Sequence, residues 1–340
     1  MQHRMGAGPL LDQRGRLVEC GWATEEVRKY ERAAIRAGKL RIKEWDYYCV
    51  LTPNYGLALT VADNGYLGFL GVSWMDLKSR TAINDAAVLP WPMGKMRLPE
   101  SADAGDIEQS HPSGMRLRFG HEPGGRRLTV EAPNFGRGTG LKGELWLEQP
   151  PMDRMVIATP FPKAPKAFYY NQKINCMPAS GSIAIGSETF DFEPQSAYGV
   201  LDWGRGVWTY SNTWYWGSAS GRCGGHTVGF NIGYGFGDTS AASENMFFID
   251  GKAHKLDQVT FHMPSGGPDS GPWRFTSNNG RFELTFEPAV NRHHTTDLGV
   301  FKTAQDQVFG LFSGDVVLDD GTKYRIDSLP GFAEEVRNRW

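Results

Sequence analysis

YGLALTVA (55–62) and YLGFLGVSWM (66–75), divided by Asp63-Asn64-Gly65, read as two strands with a turn between them. Apolar-rich runs on either side of an Asn-Gly dipeptide are a local sign of a β-hairpin, because glycine accepts the positive φ that tight turns need. The same grammar recurs outward in both directions. DYYCVL (46–51), MRLRFG (115–120), RLTVEA (127–132) and KGELWLE (142–148) belong to the first half. AFYYNQKI (167–174), SIAIG (182–186), HTVGFNIG (226–233), ENMFFID (244–250), QVTFHM (258–263), RFELTFE (281–287), QVFGLFSG (307–314) and KYRID (323–327) continue it. Asp250-Gly251 and Asp319-Asp320-Gly321 mark further turns. Long helical patterns do not alternate with these runs, so a parallel α/β fold is excluded. The expected class is all-β, with two antiparallel units packed together.

One segment departs from the pattern. In TEEVRKYERAAIRAG (24–38), Thr24 stands where an N-cap would, and Glu25 and Glu26 suit the positive end of a helix dipole. Val27, Tyr30 and Ala34 recur at helical spacing, and Gly38 can close the last turn. A peripheral helix is expected at 24–37, and a second, short one at Ala333–Arg339. Two Pro-rich stretches, PWPMGKMRLPESADAGD (90–106) and PFPKAPK (160–166), interrupt the strands. A boundary at the second gives an N-terminal arm and helix (1–40), a first β unit (41–160) and a second β unit (161–340). The units should meet near 150–166. No sequence repeat relates them.

Composition sets the outer limits. A chain of 340 residues can bury one large core or two smaller ones. Its 42 glycines and 20 prolines favour short strands and turns over helices, and its 11 tryptophans require large apolar surfaces in a core or a ligand cavity. A hydrophobic share of 40% with 22% charged residues excludes disorder as the default. The net charge of −2, without a Lys/Arg cluster, gives no basis for nucleic-acid binding. The N-terminus lacks an apolar run of signal-peptide length, and nothing further on could span a bilayer, so a cytoplasmic protein is expected. Its oligomeric state is left open. Cys20, Cys49, Cys176 and Cys223 are far apart, so free thiols are expected rather than a zinc site or a disulfide framework. His293-His294 is a poor chelate, since neighbours on a strand point to opposite faces. Neither metal nor cofactor is expected.

Candidate chemistry concentrates in LDWGRGVWTYSNTWYWGSASG (201–221), which holds Trp203, Trp208, Tyr210, Trp214 and Trp216. Gly204 and Gly206 suggest a bend through Asp202–Arg205, which would bring that acid and base together as a structural pair or as an ionisable group at a pocket rim. In GFNIGYGFG (229–237), Phe230, Ile232, Tyr234 and Phe236 alternate with a row of glycines and Asn231. A glycine face leaves room for a neighbouring strand or a ligand, and Asn231 is the one side chain of that row able to hydrogen-bond it. The GYGFGD string lacks the spacing of a nucleotide fingerprint. In ENMFFIDGKAHKL, a two-residue turn at Asp250-Gly251 would set Glu244 diagonal to Lys255, paired on an apolar face or as a surface salt bridge. AFYYNQKIN supplies a polar row with Asn171 and Lys173, facing solvent or, in a wide enough barrel, a cavity. No Ser–His–Asp order, P-loop or HExxH is present.

The strings KEWDYY (43–48), FYYNQKIN (168–175), DWGRGVW (202–208), WYWGSASG (214–221), GFNIGYGFGD (229–238), ENMFFIDGKAHKL (244–256) and FGLFSG…DDGTKYRI resemble the bacterial family known as domain of unknown function 2804. More distantly, the chain resembles tandem lipocalin-like proteins that include carotenoid 1,2-hydratase, plant tocopherol cyclase and fungal pericyclases. That resemblance implies two lipocalin-like barrel or sandwich units and an apolar or polycyclic small-molecule ligand. It also implies cofactor-independent acid–base chemistry such as hydration, isomerisation or cyclisation. Such chemistry needs a carboxylic acid kept protonated near neutral pH and aromatic faces toward a developing cation. Asp202 and Glu244 are the candidate acids. Trp203, Arg205, Trp208, Tyr210, Trp214, Trp216, Asn231, Lys255, Asn171 and Lys173 are the candidate ligand-binding residues. A non-catalytic carrier of the same ligands and a carbohydrate-active enzyme with a Trp-rich cleft are the alternatives.

Overall fold

The structure, a computed structural model, describes residues 2–297, 299 and 302–339. Its hairpins assemble into two large antiparallel sheets, one of thirteen strands and one of nine. The hairpin of Tyr55–Asp63 with Leu67–Asp76 forms as the sequence implies, with Ala62 opposite Phe69 across the Asp63-Asn64-Gly65 turn. At the centre of the first sheet lie Ile42–Leu51, Tyr198–Val207 and Phe168–Ile185, hydrogen-bonded in that order. At the centre of the second lie His226–Tyr234, Ser211–Cys223 and Lys323–Arg339. Among the described residues the one parallel pairing of named strands joins Gly8–Pro9 to Arg28–Lys29.

The first sheet bends at a bulge. Register shifts between Ile174 and Met177, where Cys176 takes a left-handed φ of 63°. Before the bulge, Phe168–Ile174 pairs with Tyr198–Val207; beyond it the same strand joins Leu141–Glu148. A bulge adds twist and curls the sheet. It also points Cys176 at the second sheet, where Gly229 leaves it room: a Cβ on that glycine would sit 2.6 Å from the Cys176 sulfur. Asn175 fixes the same seam by donating to Ser218 Oγ (2.8 Å) and to the Phe230 carbonyl (3.0 Å).

Both expected helices are absent as such, for physical reasons. Residues 24–37 run as the strand Arg28–Lys29 and a 3-10 turn at Arg32–Ala34. Tyr30 donates to Glu44 Oε1 (2.6 Å), Arg32 bonds the same carboxylate, Arg28 pairs with Glu19, and Glu26 accepts from Gln172 (2.6 Å). These anchors sit on alternate residues, so extended chain satisfies more polar groups than a helix would. Ala333–Arg339 belongs to the strand Lys323–Arg339, paired on both sides. Its Ala, Glu and Arg favour helix, but local propensity is a small term and pairing with strands on both sides overrides it. Among the described residues a second 3-10 turn lies at Lys39–Arg41, and Phe135–Gly138 makes a short turn in which Gly136 and Arg137 take left-handed φ of 60° and 62°.

The changeover between sheets falls between Val207 and Ser211, well past the 150–166 boundary expected from the proline-rich stretch. Strands through Val207 complete the first sheet because Tyr198–Val207 zips onto Ile42–Leu51 across ten register pairs, Tyr198↔Leu51 to Val207↔Ile42. Two cores result. One lies within the curl of the second sheet and is almost wholly apolar, with Phe230, Ile232, Phe275, Phe286 and Phe312 at its centre. The other fills the first sheet's curl and continues into the layer between the sheets. No helix among the described residues is long and apolar enough to cross a membrane.

Candidate functional site

Strand alternation puts every second residue of the central strands into the layer between the sheets. From the first sheet come Trp45, Tyr47, Tyr169, Asn171, Lys173 and Asp202. From the second come Trp214, Trp216, Asn231 and Glu334, with Glu244 added by the segment leading into Met246–Ile249.

Lys173 joins the two contributions. Its Nζ lies 2.8 Å from Asp202 Oδ1 and 3.8 Å from the centre of the Trp216 ring. Asn171 donates to the same Asp202 oxygen at 2.6 Å. Trp216 Nε1 donates to Asn231 Oδ1 (2.7 Å), and Asn231 Nδ2 donates to the Glu244 carbonyl (2.9 Å) and to Glu244 Oε2 (3.3 Å). A continuous path thus runs from Asp202 through Lys173, Trp216 and Asn231 to Glu244, across both sheets. The walls are aromatic. Tyr169 stacks on Phe236 at 4.7 Å, Trp208 meets Tyr169 edge-on at 5.7 Å and Trp214 at 5.2 Å, and Phe332 packs on Trp216 at 4.7 Å.

Burial shapes the acidity of this layer. Glu244 is 3% exposed, and loss of water pushes its carboxyl up to about 7, against the pull of the Lys173 ammonium and the Asn231 amide. Glu334 is raised for the same reason and is opposed by the Trp214 indole N–H, which donates to it at 3.1 Å. Tyr169 is held well above its usual value by burial and by the Glu244, Asp202 and Glu334 carboxylates nearby. Three polar atoms of the cluster, Tyr169 Oη, Asn171 Oδ1 and Glu244 Oε1, are buried without a hydrogen-bond partner. Buried polar atoms usually find a partner, so these three are open to one more hydrogen bond each.

Several expected arrangements change. Asp202 and Arg205 do not pair, because Gly204 and Gly206 leave the strand regular and the two side chains fall on opposite faces. Arg205 instead bonds Asp46 at 2.8 Å inside the first unit, with Trp203 under its guanidinium at 4.1 Å. Trp203 therefore belongs to that interior, against Tyr30 and Tyr170. Gly204 exists for packing, since any Cβ there would collide with the Trp45 ring. Tyr210 is 54% exposed and lies outside the cluster.

Glu244 and Lys255 do not pair either. The turn at Asp250-Gly251 forms, with Ile249 opposite Lys252 and Met246 opposite Lys255. The ladder stops at Met246, however, where Asn245 turns aside to accept from Gly233 N (2.7 Å) and donate to the Asp257 carbonyl (2.6 Å). Lys255 gives its protons to Ser243 Oγ, Asn245 O and Leu256 O, while Glu244 turns toward Asn231 and Gly233. Burial lowers the Lys255 ammonium to about 7, against Asp257 and Glu244. What approaches the glycine row is thus protein: Cys176 at Gly229 and the Glu244 carboxylate at Gly233.

Asn171, Lys173, Asp202, Trp208, Trp214, Trp216, Asn231 and Glu244 come together, and the polar row of 169–175 faces the second sheet rather than solvent. Glu334, Gln307 and Tyr47 extend the cluster and escaped the sequence reading. Tyr47 donates to Gln307 Oε1 (3.2 Å), and Gln307 Nε2 donates to Glu334 Oε2 (3.1 Å). Alternation of Phe332, Glu334 and Val336 was the available signal, hidden by the helix-like composition around it. These side chains pack against one another. A surface cleft of about 440 Å³ opens where the sheets part, between Ala82 and Asn84 on one side and Val290 and Asn291 on the other. Among the described residues no cluster of His, Cys, Asp and Glu is arranged to hold a metal ion.

Two curled antiparallel sheets packed across a polar and aromatic layer define a lipocalin-like double-unit protein. The chain belongs to the family described as domain of unknown function DUF2804, whose family model matches residues 2–340. No curated protein matches it. Among solved structures it is similar to an AttH-like protein from Nitrosomonas europaea, at 13% identity and a TM-score of 0.51, covering 93% of this chain and 98% of that one. It also matches kievitone hydratase from Nectria haematococca at 10% identity and a TM-score of 0.44, over 88% of each chain. At such identities the first likeness speaks to fold alone.

Proposed function

We propose that the layer between the sheets binds a hydrophobic small molecule and that Glu244 acts on it as a general acid. Glu244 carries the reading: a buried carboxyl group with its acidity shifted to about 7 and one oxygen unmatched, set among aromatic rings. A carboxyl group with that acidity is well placed to hold a proton near neutral pH and release it to a bound molecule. Protonation of a carbon–carbon double bond leaves a cation, which the aromatic rings around the layer would stabilise once a ligand displaces part of their present packing. The carboxylate left on Glu244 is stabilised by Lys173 and Asn231. Addition of water followed by return of its proton to Glu244 gives hydration, and loss of a neighbouring proton gives isomerisation.

Asp202 takes a supporting part, holding Lys173 across the seam so that its charge faces the developing anion. Four free thiols, two of them buried, suit a reducing cytoplasm.

The test is native mass spectrometry and turnover with a panel of polycyclic and isoprenoid alkenes, on wild type and Glu244→Gln. Retained binding with turnover reduced about 10²-fold or more supports the acid role. Wild-type binding without turnover leaves a carrier and removes the catalytic claim.

A further inference from the structure

The opposite face of the first sheet encloses a second group of buried charges, and nearly all are matched. Arg205 pairs with Asp46, Arg32 with Glu44, Arg28 with Glu19, and Arg154 grips Asp103 with two contacts of 2.7 Å. Arg126 is the exception. Its side chain is among the largest fully enclosed ones, at 2% exposure, yet no carboxylate among the described residues lies within ion-pair distance of it. Its partners are neutral: Gln149 Oε1 at 2.7 Å, Tyr48 Oη at 3.1 Å, His121 Nε2 at 2.9 Å and the Ala102 carbonyl at 2.6 Å.

A guanidinium has five N–H donors, and these four contacts leave one uncommitted. His121 Nε2 lies near both Arg126 and the Ala102 carbonyl (3.1 Å), so His121 offers another donor in one of its two tautomers. When its Nε2 accepts from Arg126, the ring proton sits on Nδ1, which is buried with no partner. A buried charge with neutral partners alone is costly, so the site favours an anion.

Arg126 and His121 line a cavity of about 360 Å³ that opens to the surface beside Gln149. Asp103 and Glu122 stand at the same cavity: Asp103 is gripped by Arg154, while Glu122 shares Arg127, which it meets at 2.6 and 2.9 Å, with Glu144 at 2.6 Å. Arg126 is thus the guanidinium at this cavity with no carboxylate within ion-pair distance, beside carboxylates that oppose a second negative charge. That balance suits a single negative charge and repels a double one.

We propose that this cavity is a binding site for a small organic monocarboxylate, whose carboxylate meets Arg126 while its apolar part lies toward Pro123 and Gly125. The site is separate from the layer between the sheets and does not depend on the function proposed for it.

Benzoate titrated into the full-length protein by calorimetry at fixed ionic strength is the direct test, with sulfate as the doubly charged control. Saturable benzoate binding at one site, at least about tenfold tighter than sulfate, is expected. Arg126→Gln should lose it. Because that variant leaves Tyr48 and Ala102 short of a donor and can misfold, Gln149→Glu gives the independent reading. It supplies Arg126 with an internal carboxylate at the same 2.7 Å position, so it should raise Tm and abolish benzoate binding. No benzoate binding by wild type, sulfate binding as tightly, or unchanged benzoate affinity in Gln149→Glu would each overturn the proposal.

Discussion

The strands Ser211–Cys223 and His226–Tyr234 have two faces that were built for different ends. Ala219, Val228, Phe230 and Ile232 point into the second unit and meet Phe275, Phe282 and Phe312 in a core without a buried charge. One residue along, Trp216, Asn231 and the glycine row point the other way, toward Lys173, Asp202, Glu244 and Cys176. The first face obeys packing alone. The second accepts three unmatched polar atoms and a carboxyl group held near 7. A fold that needed only stability would have no reason to differ so sharply across one strand's thickness.

That contrast can be broken by mutation, and the largest effects should come from the apolar face. Phe312→Ala opens a cavity between Phe230, Phe275 and Phe286 and should cost about 3–5 kcal/mol in denaturant unfolding. Activity per folded molecule should survive. On the polar face, Lys173→Met strands the Asp202 carboxylate with Asn171 as its remaining partner and should also cost about 3–5 kcal/mol. Adding Asp202→Asn should recover much of that loss, because the orphaned charge goes with it. Equal losses for the single and double variants would mean that the ion pair is not what Lys173 supplies.

Gly233→Val should have a smaller effect on stability, about 1–3 kcal/mol, with a larger effect on ligand binding. Its Cβ would sit 2.6 Å from Glu244 Oε1, displacing the one group on which the acid role depends, and 2.8 Å from the Tyr215 carbonyl. If stability and binding fall in step, the glycine is a packing device only. The smallest effect is expected from Glu244→Gln at pH 5, where the wild-type carboxyl group is itself neutral in the fold.

Much of this was legible in the sequence, and the exceptions share a cause. Strands and turns are local, so the alternation in Tyr55–Asp63, in Phe168–Ile174 and in His226–Tyr234 could be read directly. The row holding Asn171 and Lys173 could be read as one face of a strand, but whether that face met solvent or the second sheet could not, because that depends on a partner distant in sequence. What failed were readings where a partner distant in sequence decides. Glu44 and Gln172 hold residues 26–32 extended against a helical pattern, and strands on both sides capture Ala333–Arg339. Gly204 and Gly206 suggested a bend, while their role is to admit the Trp45 ring at Gly204 and the Phe168 carbonyl, with the Trp208 indole beyond it, at Gly206. The Glu244–Lys255 diagonal failed because hairpin geometry was carried one pair past the end of its ladder.

The central claim is that Glu244 keeps its proton near neutrality, and its titration tests that most directly. The folded carboxyl is raised to about 7 from an ordinary 4.5, so the fold binds this proton more tightly than the unfolded chain does. The stabilisation is complete below about 4.5 and is lost as pH rises through about 7. Lys255, lowered to about 7, acts in the separate window above it, where stability rises with pH. Side-chain carboxyl carbon resonances of wild type and Glu244→Gln, compared by NMR from pH 3 to 9, isolate the one signal that belongs to Glu244. A midpoint near 7 is predicted, matched by wild-type and Gln-variant stabilities that agree near pH 4.5 and diverge, to the disadvantage of wild type, between pH 4.5 and 7. A midpoint at or below 4.5 would contradict the account and leave Glu244 a structural carboxylate.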